Sequence, residues 1–198
     1  MISKDIIIFP GLNDSPDHYK YRFVTAAWAR DGRCLHIFDA DWNNRDEDYG
    51  HKLQRAKQFV NRVFTKSKRL VPIIGNSAGS SLAVILLLTC PDKVGKIIVN
   101  CGRVRTGDYP WYTFDQATAS SLAFRNYVLQ AEKAETTMSD KTRQKILPLI
   151  PIFDEIVPGF TVPIVGAINE TIPSIEHVFS IAINLTILRH RIYRFIDN

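Results

Sequence analysis

A chain of 198 residues with 45% hydrophobic and 23% charged side chains has room for one domain with a substantial core and excludes a second full one. Its net charge of +5 would suit an anionic partner, but the basic residues are scattered without a recognition motif, so no nucleic-acid partner is expected. The longest apolar run, residues 82–88, is far below the roughly 20 residues that span a bilayer, which argues against a membrane span.

The N-terminal apolar run Ile6-Ile7-Ile8-Phe9 meets Pro10-Gly11 too soon for a secretory signal and reads as a buried strand, so a cytoplasmic location is expected. Cys34, Cys90 and Cys101 are odd in number and lie in or beside apolar segments; neither a disulfide framework nor a zinc site is expected. The strand over residues 5–9 is followed by a loop to Pro16 and a helix over 18–30 with Phe23, Ala26 and Ala27 at helical spacing. A second strand, 34–38, leads through Asp39-Ala40-Asp41-Trp42 into a helix over 48–65 whose buried face is Leu53, Ala56, Val60 and Phe64. The basic cluster Lys66-Ser67-Lys68-Arg69 reads as a solvated turn before the third strand, 70–74. That strand runs into Gly75-Asn76-Ser77-Ala78-Gly79 and an apolar helix, 80–89, stopped by Pro91.

The fourth strand is 96–100. Residues 102–145 hold an aromatic cluster and one or two helices, with room for a small cap within 103–145. Apolar runs return at 146–153 and 162–167, and an amphipathic helix over 174–196 closes the chain. Apolar runs alternating with amphipathic segments predict a single α/β domain over 1–198, with a mainly parallel central sheet of about six strands and helices on both faces.

A nucleophilic serine has to project beyond the sheet edge from a sharp strand-to-helix turn, which small neighbours permit; Gly75, Ala78 and Gly79 meet that demand around Ser77. The pattern is weak alone and gains weight from the strand before it and the helix after it. With the opening strand into Pro10-Gly11-Leu12, Asp154-Glu155-Ile156-Val157-Pro158 and Ile172-Pro173-Ser174-Ile175-Glu176-His177, the chain resembles the α/β-hydrolase superfamily. The likeness is to its small cap-poor members, the retinoblastoma-binding-protein-9-like serine hydrolases. That resemblance implies an oxyanion hole made by the backbone N–H groups of Leu12 and Ala78.

It also implies the order serine, acid, histidine, which leaves His177 and His190 as bases; His190 sits between Arg189 and Arg191 on a solvated helix face, and His177 opens the helix as the base should. Asp154 is the expected acid, with Glu155 its neighbouring alternative. Pro148 and Pro151 each remove a ladder donor from the run 146–153, which keeps a second register open. In it, 162–166 is the penultimate strand, Asn169-Glu170-Thr171-Ile172-Pro173 the acid loop and 191–196 the last strand. That register leaves no base after the acid. The first supplies all three groups in order, and Val178, Ile181, Leu185 and Leu188 at helical spacing favour the closing helix.

Loops at the C-terminal strand ends should border Ser77, which makes Asp14, Trp42 and residues 103–114 candidate walls. Tyr109 and Trp111, with Tyr112 and Phe114, would either line an acyl or leaving-group pocket or pack under a cap; Arg103 and Arg105 would either pair with a substrate carboxylate or phosphate or stand as ordinary surface arginines. Asp39 and Asp41 lack further ligands and make a poor metal site. The expected activity is cleavage of an ester or related acyl bond of a small-molecule substrate through an acyl-enzyme, without cofactor or metal, by a monomer or homodimer. The alternative is an inactive hydrolase-fold binding or scaffolding protein, and the separation of His177 from Ser77 discriminates the two.

Overall fold

The computed structural model describes residues 4–14, 19–44 and 48–198. The elements are β1 (Asp5–Phe9), α1 (Tyr19–Arg30), β2 (Cys34–Ile37), α2 (Tyr49–Ser67), β3 (Val71–Asn76), α3 (Gly79–Thr89), β4 (Val94–Asn100), α4 (Phe114–Thr118), α5 (Leu122–Glu135), α6 (Asp140–Arg143), β5 (Ile146–Pro151), β6 (Glu170–Ile172), α7 (His177–Leu185) and α8 (Arg189–Asp197). The six strands form one parallel sheet in the order β2-β1-β3-β4-β5-β6. The chain moves outward from β1 to β2 and then crosses to the other side of β1 with β3, so the loops leaving β1 and β3 diverge. A crevice opens between them at the C-terminal strand ends.

Alternating side chains split the core in two. Ile7, Phe9, Ile73, Ile97 and Val99 face α2, α3 and α5, while Ile6, Ile8, Ile74, Ile98 and Leu147 face α1, α7 and α8. Helix α3 lies between the sheet and α5 and buries every residue from Gly79 to Leu87, each large apolar side chain contributing about 1.5–3 kcal/mol. Asp48 caps α2 by accepting from His51 N–H at 2.8 Å. Residues 103–145 carry three helices, the longest of which, α5, packs on α3 and α2.

Several sequence expectations change. The buried face of α1 is Tyr21, Val24 and Trp28, whereas Phe23 is 72% exposed. Val63 joins Ala56 and Val60 on the α2 core face, with Leu53 and Phe64 half-buried beside them. The apolar run 162–167 is not a strand; the last strand is Glu170–Ile172, and 159–161 form a 3₁₀ turn. The reason lies in side chains that consume the backbone groups a ladder would need. Asn169 bonds both Ile164 N–H, at 3.0 Å, and Ile164 C=O, at 2.9 Å. Glu135 accepts from Val165 N–H at 3.0 Å, and Arg143 donates to Val165 C=O at 2.6 Å.

The closing helix is two helices. In an unbroken helix the Leu185 carbonyl would accept from Arg189 N–H; here the Trp28 indole N–H takes it at 2.7 Å. Val178, expected on the buried face, is half-exposed. The second register fails on the same observations, since 191–196 is helical and Glu170 lies in a strand.

The prolines of β5 fit their neighbours' lengths. Lys145 and Leu149 C=O accept from β4-side N–H groups of Ile97 and Cys101, so odd positions face β4; Ile146 C=O accepts from Ile168, so even positions face β6. Pro148 precedes the first β6 pair, Leu149↔Glu170, and Pro151 follows the last β4 pair, Asn100↔Leu149. Each missing donor thus points where no regular ladder partner stands.

Candidate active site

The chain leaves β3 at Asn76 and must fold back into α3 at once. That turn sets Ser77 at φ 49°, a left-handed conformation costing a non-glycine residue roughly 1–2 kcal/mol. Packing imposes it. A Cβ on Gly75 would lie 2.5 Å from the Gly79 carbonyl oxygen, and one on Gly79 would lie 2.2 Å from that of Phe9. Ser77 N–H donates to Asn100 C=O at 3.0 Å, and Ser80 Oγ–H donates to Gly75 C=O at 2.6 Å. Because Phe9 belongs to a central strand and cannot retreat, Gly79→Ala is expected to cost about 3 kcal/mol or more. Urea denaturation measures this, and an unchanged midpoint would contradict so close an approach.

His177, the first residue of α7, presents Nε2 at 2.9 Å from Ser77 Oγ and Nδ1 at 2.6 Å from Asp154 Oδ2. Asp154 also accepts at Oδ1 from Ile156 N–H, 2.9 Å, and Val157 N–H, 2.7 Å. With that carboxylate accepting from Nδ1–H, the lone pair of Nε2 faces the serine hydroxyl. Asp154 is 2% exposed and His177 4%. Glu155 does not touch the ring; it accepts from His177 backbone N–H at 3.0 Å, and Glu176 caps α7 by accepting from Val178 and Phe179 N–H. His190 is exposed on α8, edge-on to Tyr193.

A buried amide row ties α7 to the elbow. Asn76 and Asn100 pair in register at the ends of β3 and β4; Asn100 Nδ2 donates to Asn76 Oδ1 at 2.8 Å, and Asn184 Nδ2 donates to Asn100 Oδ1 at 2.7 Å. Burial, followed by the negative charge of Asp154, pushes the neighbouring Cys101 thiol well above its ordinary value.

A cavity of about 280 Å³ opens beside Ser77 and His177. Its walls come from the loop after β1, including Leu12 and Asp14, from Tyr21 and Val24 of α1, and from Tyr112 and Ile156. Val178, Ile181, Ala182 and Leu185 of α7 complete it, spaced so that one helix face lines the space. Tyr21, which donates to Asp14 at 3.1 Å, was not among the sequence candidates; its signal was the period it shares with Val24 and Trp28. The α7 residues were legible only as packing positions.

The other candidates lie elsewhere. Trp42 is a core residue, 2% exposed, donating to Pro10 C=O at 3.0 Å and packing edge-on against Phe124 and Tyr127. Arg103 is 1% exposed, donates to Gly107 C=O at 3.2 Å and lies over the Phe114 ring. Burial lowers its guanidinium from the ordinary value against the pull of Tyr112, Asp108 and Asp154. Arg105 makes a two-pronged ion pair with Glu135. Tyr109 donates to Asp154 C=O at 2.7 Å, bracing the loop that carries Asp154, and Trp111 stacks on Tyr109 while 61% exposed. Neither lines the cavity; Tyr112 does. Asp39 and Asp41 form a turn in which Asp39 Oδ1 accepts from Asp41 N–H.

No family model matches this chain, and no curated protein matches it. Solved structures do. That of LipS and LipT, two metagenome-derived lipolytic enzymes, has a TM-score of 0.67 at 14% identity over 99% of this chain and 93% of that one. Est1E from Butyrivibrio proteoclasticus gives 0.66 at 16% identity over 98% and 88%. The ydeN gene product from B. subtilis gives 0.66 at 13% identity over 99% and 100%. The chain has the α/β-hydrolase fold. Among the described residues, no helix is long and apolar enough to cross a membrane.

Proposed function

We propose that this chain is a serine hydrolase of the small, cap-poor kind that cleaves an ester or related acyl bond through an acyl-enzyme. The reading rests on one observation, the hydrogen-bonded sequence Ser77 Oγ, His177 Nε2, His177 Nδ1, Asp154 Oδ2 at the mouth of an apolar cavity. Ser77 Oγ attacks the acyl carbonyl while His177 Nε2 takes its proton, and Asp154 holds the ring and balances the imidazolium. The oxyanion is received by Ala78 N–H, at the start of α3, and by Leu12 N–H, whose loop lies against the elbow. His177 then protonates the departing alcohol. Water, deprotonated by His177, attacks the acyl-serine and releases the acid.

The test is intact-mass and peptide analysis after treatment with a fluorophosphonate, which reacts with activated serines. One adduct on the peptide carrying Ser77 is expected; an unlabelled, folded chain would reject the reading.

The acyl group is expected in the cavity walled by α7. Ile181→Trp should lower kcat/KM for six-carbon and longer acyl esters by about tenfold or more while sparing acetyl esters, since even one misplaced methylene is worth about 1–3 kcal/mol in such a pocket. Trp111→Ala should leave the acyl-length profile unchanged. Equal loss for every ester with Ile181→Trp would place the acyl group elsewhere.

A further inference from the structure

Three side chains able to ligate a metal meet at the sheet edge farthest from the chemistry. Asp5 opens β1 and Cys34 opens β2, with His36 two residues on. The parallel register sets Asp5 beside Cys34 and Ile7 beside His36. Side chains two apart on a strand share a face, and partners across a ladder do too, so Asp5, Cys34 and His36 project from the face that carries Ile7 and Phe9. Their ligand atoms all lie within 4.8 Å of one another, and His36 Nε2 is 2.8 Å from Asp5 Oδ1.

Tetrahedral zinc, with bonds of about 2.0–2.3 Å, separates its ligands by about 3.3–3.7 Å. To reach that spacing the His36–Asp5 contact must open slightly and the exposed Cys34 side chain must turn toward them from within 4.8 Å. Thiolate, imidazole and carboxylate together are a borderline-soft donor set, which suits zinc and disfavours calcium or magnesium. Against the expectation from cysteine spacing, we propose that Asp5, Cys34 and His36 form a three-ligand site for Zn²⁺, with water in the fourth position.

The site begins β1 and β2, whereas the loop beside Ser77 follows Phe9 at the far end of β1, a span of roughly 15 Å. The ion therefore takes no part in acyl chemistry. It clips β2, an edge strand of four residues that among the described residues pairs only with β1, to the rest of the sheet. This proposal stands independently of the hydrolase reading.

Cobalt(II) is the probe, because a tetrahedral site with a thiolate shows visible d–d bands and a near-ultraviolet sulfur-to-cobalt charge-transfer band. Titration of the reduced chain is expected to saturate at one Co²⁺ per chain, with both signals bleached by Zn²⁺. Cys34→Ser should abolish the charge-transfer band and Cys90→Ser should leave it intact. His36→Gln and Asp5→Asn should each weaken binding by about tenfold or more. All three ligand positions are at least partly exposed, so these variants keep the fold, which circular dichroism checks. A chain that gives no charge-transfer band with Co²⁺ in excess, or one whose band survives Cys34→Ser, overturns the proposal. So does a band unaffected by His36→Gln.

Discussion

Ser77→Ala is expected to remove fluorophosphonate labelling and to lower kcat for a short acyl ester by a factor on the order of 10⁶, with His177→Ala nearly as damaging. The two losses should not add, because in the proposed mechanism nucleophile and base act as one unit across the 2.9 Å contact between them. Ser77→Ala should leave the fold undisturbed. Ser77 is only half-buried, and the turn around it is held by backbone contacts and by Gly75 and Gly79. His190→Ala is the control, since that ring is exposed on α8 and should leave both readouts at the native level. Equal turnover by native and Ser77→Ala protein would show that the chemistry, if any, lies outside this cavity.

Asp154→Asn is expected to lower kcat by about 10⁴ while KM and stability change little. The amide oxygen can go on accepting from Ile156 and Val157 N–H, as Oδ1 does now, which turns the NH₂ group toward His177 Nδ1. Two donors cannot face each other, so the ring proton moves to Nε2. That nitrogen then donates to Ser77 in place of accepting from it, and the base is lost without a change of shape. Glu155→Gln should have a far smaller effect, because Glu155 reaches only the backbone of His177. Steady-state kinetics of both variants decide the matter; an Asp154→Asn variant within about tenfold of native would remove Asp154 from the orienting role.

Much of this site could be read from the sequence because its parts are local. The turn after β3 needs small residues at fixed offsets from Ser77, and the proposed base, His177, stands out as the residue that opens a helix after an extended segment. Where tertiary partners decide, the pattern misled. Residues 162–167 have a strand's composition, but Asn169, Glu135 and Arg143 claim the backbone groups a ladder would use. The break after Leu185 has neither glycine nor proline to mark it and follows from a hydrogen bond to Trp28, 157 positions away. In α1 the choice of phase between Phe23 and the set Tyr21, Val24 and Trp28 depended on which face met the sheet. The α7 stripe illustrates a different limit. Helical spacing reveals that a face is apolar, and only the fold reveals that this face borders a cavity instead of a core.

Ser77 and His177, the proposed nucleophile and base, stand 100 positions apart, with Asp154 between them, and they meet only after β4 and β5 have been added to the sheet. A chain emerging during synthesis therefore carries a complete elbow for a long interval while nothing is present to withdraw its proton. On the proposed reading, reactivity at Ser77 arrives last, as a property of the finished molecule. On that reading an activity-based label counts completed chains.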